Sequence, residues 1–356
     1  QTIGGGKGGQ TISFPAPGDK PFGDAPFAVG ATASSGLPVS FAAAGACTVA
    51  GDVVTLTSGG SCTLTAAQGG NANYNPAAGV SHTFNVTYRL TLSATAGGSA
   101  GASPVGPNYL AGTVATVTAT PAAGHIFTGW TIGGAPTGDR CIGWANPFTI
   151  TMNANYTVVA SFVPLPAFPD VSASNPAHDA ISQLAARKVI LGYQDGRFGP
   201  QDNTLRAQMA ALIARAMCWD NESHRNAFPD QGSVDPKLWN NVGTLAHYNV
   251  ARGYPDGTYK PTANVLYAQT ISFITRAMVA KGYWIQQPDN RLLYPNVPAG
   301  SGHREDIVTY VHYTGAIPGT NPAANWDNWA RPSTRAEFAV ALWQALNSYW
   351  GVDRVP

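Results

Sequence analysis

The chain has 356 residues, a formal net charge of +1 and only 11% charged residues, against about 25% in an ordinary soluble domain. A near-neutral chain lacks the basic surface of a nucleic-acid module. It also has no apolar run of 18 residues, so neither a nucleic-acid partner nor membrane insertion is expected. The 44% hydrophobic and 10% aromatic residues still leave material for packed cores. The charges are unevenly spread. Residues 1–162 hold eight of them: Lys7, Asp19, Lys20, Asp24, Asp52, Arg89, Asp139 and Arg140. That shift predicts a boundary after Phe162, followed by a short proline-rich linker over 163–167.

Residues 1–9 form a glycine-rich segment. Lys7 is followed by Gly8 rather than Ser or Thr, and no strand precedes it, so a phosphate loop does not fit. The segment reads as the processed end of a secreted chain, or as a fragment end. From 10 to 87, period-2 runs such as Phe27-Ala28-Val29, Val39-Ser40-Phe41 and Val54-Thr55-Leu56 alternate with turn clusters. This pattern predicts an antiparallel β-sandwich. Phe84, Val86, Tyr88, Leu90 and Leu92 share one parity and predict a long strand leading directly into a second β unit, 88–162. There Phe148, Ile150 and Met152 alternate, then Asn153-Ala154-Asn155, then Tyr156, Val158, Ala160 and Phe162, which predicts a hairpin. Trp130 is expected in the core of this unit.

Cys47 and Cys62 each open a strand-like run, 15 residues apart. Neighbouring strands would bring them into bonding range, so a disulfide is expected. Cys141 and Cys218 are left to pair across the boundary, to stay as buried thiols, or to pair between chains. An even cysteine count in such a chain points to an oxidising compartment. Neither the cysteines nor the seven histidines show metal-ligand spacing, and no metal is expected. Asn85, Asn155 and Asn221 stand in glycosylation sequons.

The second half repeats itself three times, over 168–227, 228–293 and 294–356. Phe168-Pro169-Asp170 recurs as Phe228-Pro229-Asp230 and, weakened, as Tyr294-Pro295-Asn296. Gly192-Tyr193-Gln194-Asp195-Gly196 recurs as Gly253-Tyr254-Pro255-Asp256-Gly257 and is eroded at Gly315. Leu205-Arg206-Ala207-Gln208 recurs as Leu266-Tyr267-Ala268-Gln269 and Thr334-Arg335-Ala336-Glu337. Each copy reads helix, turn, helix. The second helices are amphipathic, with Met209, Leu212, Ile213, Ala216 and Met217 on one face, and Phe338, Ala341, Leu342, Ala345 and Leu346 on another. Thr334 and Glu337 form a capping box.

These blocks resemble S-layer homology domains, three in tandem. The first β unit, through Gln10-Thr11-Ile12-Ser13-Phe14-Pro15 and Gly69-Gly70-Asn71-Ala72-Asn73-Tyr74, resembles bacterial immunoglobulin-like repeats. The second, through Gly124-His125-Ile126-Phe127-Thr128-Gly129-Trp130, is similar to the internalin B-repeat. The resemblance implies a multidomain chain: two all-β domains, then a mainly α pseudo-trimer of three repeats. It also implies a location on the bacterial cell surface. Grooves between the repeats would bind a secondary cell-wall polymer or peptidoglycan-linked glycan, often through a pyruvylated sugar. The residues matching the groove motifs are Arg206, Arg335, Asp195, Gly196, Asp256, Gly257, Tyr267 and Glu337. An arginine beside the free N–H groups of a helix start suits a sugar-borne carboxylate. Tyr267 departs from the family arginine, and Gln208 and Gln269 replace the acid kept in Glu337, so at most two grooves are expected intact. No nucleophile, zinc-protease or calcium motif is present, and neither catalytic residues nor a cofactor is expected. A homo-oligomer or homopolymer, a filament, tube or lattice joined through the N-terminal segment or the β domains, is the competing expectation.

Overall fold

A computed structural model describes residues 6–133, 143–220, 222–224, 228–230, 234–288, 302–317 and 329–350. Fifteen strands precede the described helices. They are β1 (Ile12–Ser13), β2 (Lys20–Pro21), β3 (Phe27–Ala28), β4 (Thr32–Ala33), β5 (Ser40–Gly45), β6 (Cys47–Ala50), β7 (Val53–Leu56) and β8 (Gly60–Ala67). Then come β9 (Val80–Ala94), β10 (Gly98–Ser103), β11 (Asn108–Tyr109), β12 (Val114–Pro121), β13 (His125–Gly133), β14 (Phe148–Thr151) and β15 (Tyr156–Pro164).

The 15-residue β9 is the spine. It pairs antiparallel with β8 along its first half and parallel with β15 along its second, inside one mixed sheet ordered β13-β15-β9-β8-β5. Its apolar parity serves two cores in turn. Phe84 and Val86 pack with Phe14, Val54 and Leu64, whereas Tyr88 and Leu90 pack with Val117, Trp130 and Phe162. A second layer, β10-β12-β14, covers the latter core, and β3-β7-β6 the former. Trp130 is buried, its indole N–H donating to the Ala145 carbonyl at 2.9 Å.

Two local expectations change. The residues 152–155 do not make a hairpin, because β14 pairs with β12 and β15 with β13 and β9, in different sheets. Met152 is fully buried, and the Asn155 side chain is committed to the Arg89 N–H and the Phe22 carbonyl, which fixes a crossing between layers. Cys47 and Cys62 do form a disulfide, but between sheets: β6 belongs to one layer and β8 to the other. Cys218 is not a free thiol; Cys141 lies outside the described residues, as do Asn221 and Tyr294-Pro295-Asn296. The expected linker is partly structured, since β15 continues to Pro164 and the Leu165 N–H donates to the Gly124 carbonyl.

The described helices are α1 (His178–Ala186), α2 (Arg206–Ala216), α3 (Pro236–His247), α4 (Tyr267–Ala280), α5 (Arg304–Thr314) and α6 (Arg335–Trp350). Helices α2 and α3, α4 and α5, and α1 and α6 pack as pairs. All five residues of the predicted α6 face are buried, and the capping box forms: Glu337 N–H to Thr334 Oγ1 at 3.2 Å, Thr334 N–H to Glu337 Oε2 at 2.9 Å. The segments entering α2, α4 and α6 are tied in a closed cycle of backbone bonds. Thr204 donates to Ser333 (2.9 Å), Ser333 to Val265 (2.7 Å) and Val265 to Thr204 (2.8 Å).

The repeated motifs have a physical reason. Asp170 accepts the N–H groups of Phe198 and Gly199, and Asp230 those of Tyr259 and Lys260, so each carboxylate ties down its own repeat's loop. Gly192 and Gly253 take positive φ (69° and 70°) directly beneath the rings of Phe168 and Phe228. A Cβ on Gly253 would sit 2.6 Å from the Phe228 ring, whereas one on Gly257 (φ 80°) meets nothing within 4 Å. Gly257→Ala should therefore cost about 1 kcal/mol for the left-handed backbone alone. Gly253→Ala should cost at least about 1 kcal/mol more through the clash. Chemical denaturation of the two variants checks the difference.

The α-helical and β regions meet at Arg187. Its guanidinium donates to the Phe127 carbonyl of β13 at 2.8 Å and lies 4.9 Å from the Trp343 ring centre and 5.9 Å from that of Trp144. Burial pulls its pKa down to about 10, so it stays charged at neutral pH.

Candidate functional site

The three helix starts occupy corresponding places but carry different chemistry. At the start of α2, Arg206 is 2% exposed, and its Nε donates to the Tyr259 carbonyl at 2.7 Å. Its guanidinium lies 4.7, 4.5 and 5.3 Å from the ring centres of Tyr254, Tyr259 and Phe273. The Tyr259 hydroxyl donates back to the Arg206 carbonyl at 2.9 Å. At the start of α6 the arrangement recurs. Arg335 Nε donates to the Phe198 carbonyl at 2.8 Å, with Tyr193 at 4.5 Å and Phe198 at 4.8 Å. Aromatic faces and a carbonyl hold each guanidinium flat, which suits forked recognition of an oxyanion.

At the start of α4 the tyrosine changes the site. Tyr267 is 1% exposed and packs on Trp329, and Arg331 stacks on its ring at 4.9 Å. Arg331 forks onto Glu337, Nη1 to Oε2 at 2.9 Å. Burial opposes ionisation of Glu337, yet Arg331 and the Thr334 N–H outweigh it and hold the carboxyl below its usual range. Glu337 thus both caps α6 and neutralises the cation nearest this position.

The predicted aspartates point elsewhere. Asp195 accepts from the Arg197 N–H (3.0 Å) and Nε (2.9 Å), and Asp256 from the Thr258 N–H and hydroxyl, with Lys260 Nζ at 2.9 Å. Both carboxyls are held below the usual range by these donors within their own turns. Gly196 and Gly257 supply positive φ to the same turns.

The open site is beside Arg206. A cleft of 270 Å³ is lined by Arg206, Arg252, Tyr254, Gln269, Ser272, Arg276 and His303. It shares Arg252 and Arg276 with a second cleft of 480 Å³ that also includes Arg304 and Asp306. Arg276 pairs with the buried Asp306 at 2.8 Å and donates to the Gly302 carbonyl at 2.9 Å. Burial raises the Asp306 carboxyl pKa, against the pull of Arg276. Cations outnumber carboxylates here, so the pair of clefts suits an anionic group. The sequence repeat pointed to Arg206 alone. Arg252 stands directly before Gly253, and Arg276 nine residues beyond Tyr267, at the place of Arg215 in α2; that correspondence was the available signal.

His303 Nδ1 is 2.7 Å from the Ser272 hydroxyl. Burial, helped by Arg276, depresses its pKa to about 4. A histidine near 6.5 when unfolded and near 4 when folded binds its proton more weakly in the native state. Stability should therefore fall as pH drops from about 6.5 towards 4, by roughly 1–2 kcal/mol after allowance for solvent screening. His303→Asn should flatten that part of a denaturation-versus-pH curve.

Among the described residues no helix is long and apolar enough to cross a membrane, and no group of His, Cys, Asp and Glu is placed to hold a metal. Residues 88–166 match the family model of a divergent InlB B-repeat domain. Residues 167–210 and 227–271 match that of the S-layer homology domain. A surface layer protein of Brevibacillus choshinensis is 29% identical over 134 residues, 36% of this chain and 11% of that protein. A cell surface protein of Thermoanaerobacter kivui is 25% identical over 146 residues, 39% of this chain and 18% of that protein. Outer membrane protein SlpA of Deinococcus radiodurans is 47% identical over 53 residues, 15% of this chain and 4% of that protein. The chain thus spans less than a fifth of each of these relatives.

Proposed function

We propose that the chain is a non-enzymatic structural component of a bacterial cell surface, extracellular, whose helical repeats dock on a cell-wall polymer carrying acidic groups. The observation that carries this reading is the 270 Å³ cleft where Arg206, Arg252 and Arg276 converge. The S-layer homology match over 167–210 and 227–271 and the surface-layer relatives support it. In this reading 294–356 is a third repeat, and the three stand about a pseudo-threefold axis. The cyclic Thr204–Ser333–Val265 bonds and the matching Arg206 and Arg335 geometries favour that arrangement. Residues 10–87 would be the immunoglobulin-like sandwich, stapled by Cys47–Cys62, and residues 88–162 a spacer. Cys218 would pair with Cys141.

Arg206 would be the principal ligand contact and Arg335 a second. Tyr267 and Glu337 would close the remaining position, and Asp195, Gly196, Asp256 and Gly257 would shape the flanking turns. Co-sedimentation with purified cell-wall sacculi tests this. The chain should pellet with intact sacculi and stay in solution with sacculi stripped of secondary polymer. Equal pelleting with both would overturn the ligand class.

A further inference from the structure

Sheet edges invite pairing unless something blocks them. Most edges among the described residues are short or blocked. The β13 edge carries a bulge at Phe127–Gly129, and Arg187 caps its Phe127 carbonyl. The end strands β6 and β14 are four residues long each, and β14 is entered through Pro147. Strands β1 to β4 and β11 are two residues each. Two edges are different. Strands β5 (Ser40–Gly45) and β10 (Gly98–Ser103) are both six residues long and end their sheets. Neither contains a charge, a proline or a register shift.

The hydrogen-bonding parity of both edges is fixed by the structure. Ala46 N–H bonds to the Ser61 carbonyl, so Ala44, Ala42 and Ser40 turn their backbone groups to β8. The Asn85 N–H and the Thr87 carbonyl point away from β8, which gives the same parity from the other side of that sheet. Phe41 and Ala43 therefore point outward, and Gly45, at φ 87°, ends the regular part of the edge. Likewise the Ala122 N–H bonds to the Gly97 carbonyl, which turns Ser99, Gly101 and Ser103 to β12 and leaves Gly98, Ala100 and Ala102 outward. Among the described residues these outward groups have no hydrogen-bond partner. Strand β9, across the corner from β10, forms no ladder with it.

We propose that β5 of one copy pairs antiparallel with β10 of a second copy, joining chains head to tail. In full register Phe41 faces Ala102 and Ala43 faces Ala100, so the outward-pointing residues of the regular part of β5 meet outward-pointing residues of β10. The side chains agree as well. On each strand the outward-bonding residues are the half-buried, mostly apolar ones, so the apolar faces of the two sheets run on into one another. Antiparallel pairing is the direction that keeps both agreements. Like-with-like pairing cannot use full register, because Phe41 would then face Ala44, which bonds inward. A β10–β10 joint would also set only alanine and glycine together, whereas β5 brings the Phe41 ring to the small residues of β10. The absence of charge on both edges removes the usual repulsion between copies. A joint between two different edges is head-to-tail, so it adds copy after copy and grows into a filament unless its rotation closes a ring. This inference concerns the β region and stands apart from the groove reading.

The test uses the full chain carrying either Ala42→Cys or Gly101→Cys; a Cβ at Gly101 meets nothing within 4 Å, and Ala42 is exposed. Mixed under mild oxidation, the two variants should yield cross-linked heterodimers at least tenfold above the like-with-like products. Unmodified protein should form polymers by sedimentation and electron microscopy. Ala42→Lys with Gly101→Lys should abolish polymers while leaving the melting curve unchanged. A chain that stays monomeric at all concentrations, predominant like-with-like cross-links, or polymers that persist in the lysine variant would each overturn the proposal.

Discussion

Arg206→Ala is expected to reduce binding to intact sacculi at least tenfold, equivalent to about 1.4 kcal/mol. It should also destabilise the fold, because the guanidinium is buried between aromatic rings and bonded to the Tyr259 carbonyl. The two effects separate through Arg252, which lines the same cleft from an exposed position. Arg252→Ala should weaken binding with no change in melting. Arg206→Lys keeps a charge but loses the fixed fork, and should bind nearly as poorly as alanine. Tyr267→Phe, at the position already closed by Arg331 and Glu337, should leave binding intact. Unchanged retention by both Arg206→Ala and Arg252→Ala would remove the cleft from consideration.

The second large effect concerns the disulfide. Opening Cys47–Cys62 with a paired serine substitution should destabilise the first β region by about 3 kcal/mol, the chain-entropy value for a 15-residue loop. The bond joins two layers of a small core, so its loss should be felt as separation of β6 from β8 rather than as a local fraying. Thermal melting of the paired-serine variant beside the unmodified chain gives the measurement. A shift well under 1 kcal/mol would mean that the buried Val54, Leu64 and Phe84 hold the layers without help.

What could be read from the residues divides along a physical line. Local rules were sufficient where a side chain acts on its own neighbourhood: the Thr334–Glu337 cap, the positive-φ glycines of the two Asp-Gly turns, and the long alternating strand through Leu90. They failed where partners are remote. Alternation around Asn153-Ala154-Asn155 looks the same whether the flanking strands pair with each other or with strands in two layers. The decision lies with Met152 and with the contacts of Asn155 to Phe22 and Arg89. The parallel pairing of β15 with β9 leaves no local mark either. At the cleft, repeat comparison found Arg206 because a motif carries it. It assigned Asp195 and Asp256 to the groove for the same reason, although their carboxylates serve their own turns. Arg276 has a counterpart in Arg215, but its convergence with Arg252 on Arg206 became visible only when segments from different repeats were brought side by side.

The cycle running from Thr204 to Ser333 to Val265 and back has a consequence for how the helical half comes apart. In a linear array each terminal unit can peel away at the cost of one boundary. Here each of the three helix entries belongs to two of the three bonds, and α1 closes onto α6, so there is no end unit to peel. The helical half should melt in a single step. Cutting its chain between two helix pairs and rejoining it elsewhere should preserve that step, because the order of the pairs along the chain is not what holds them together.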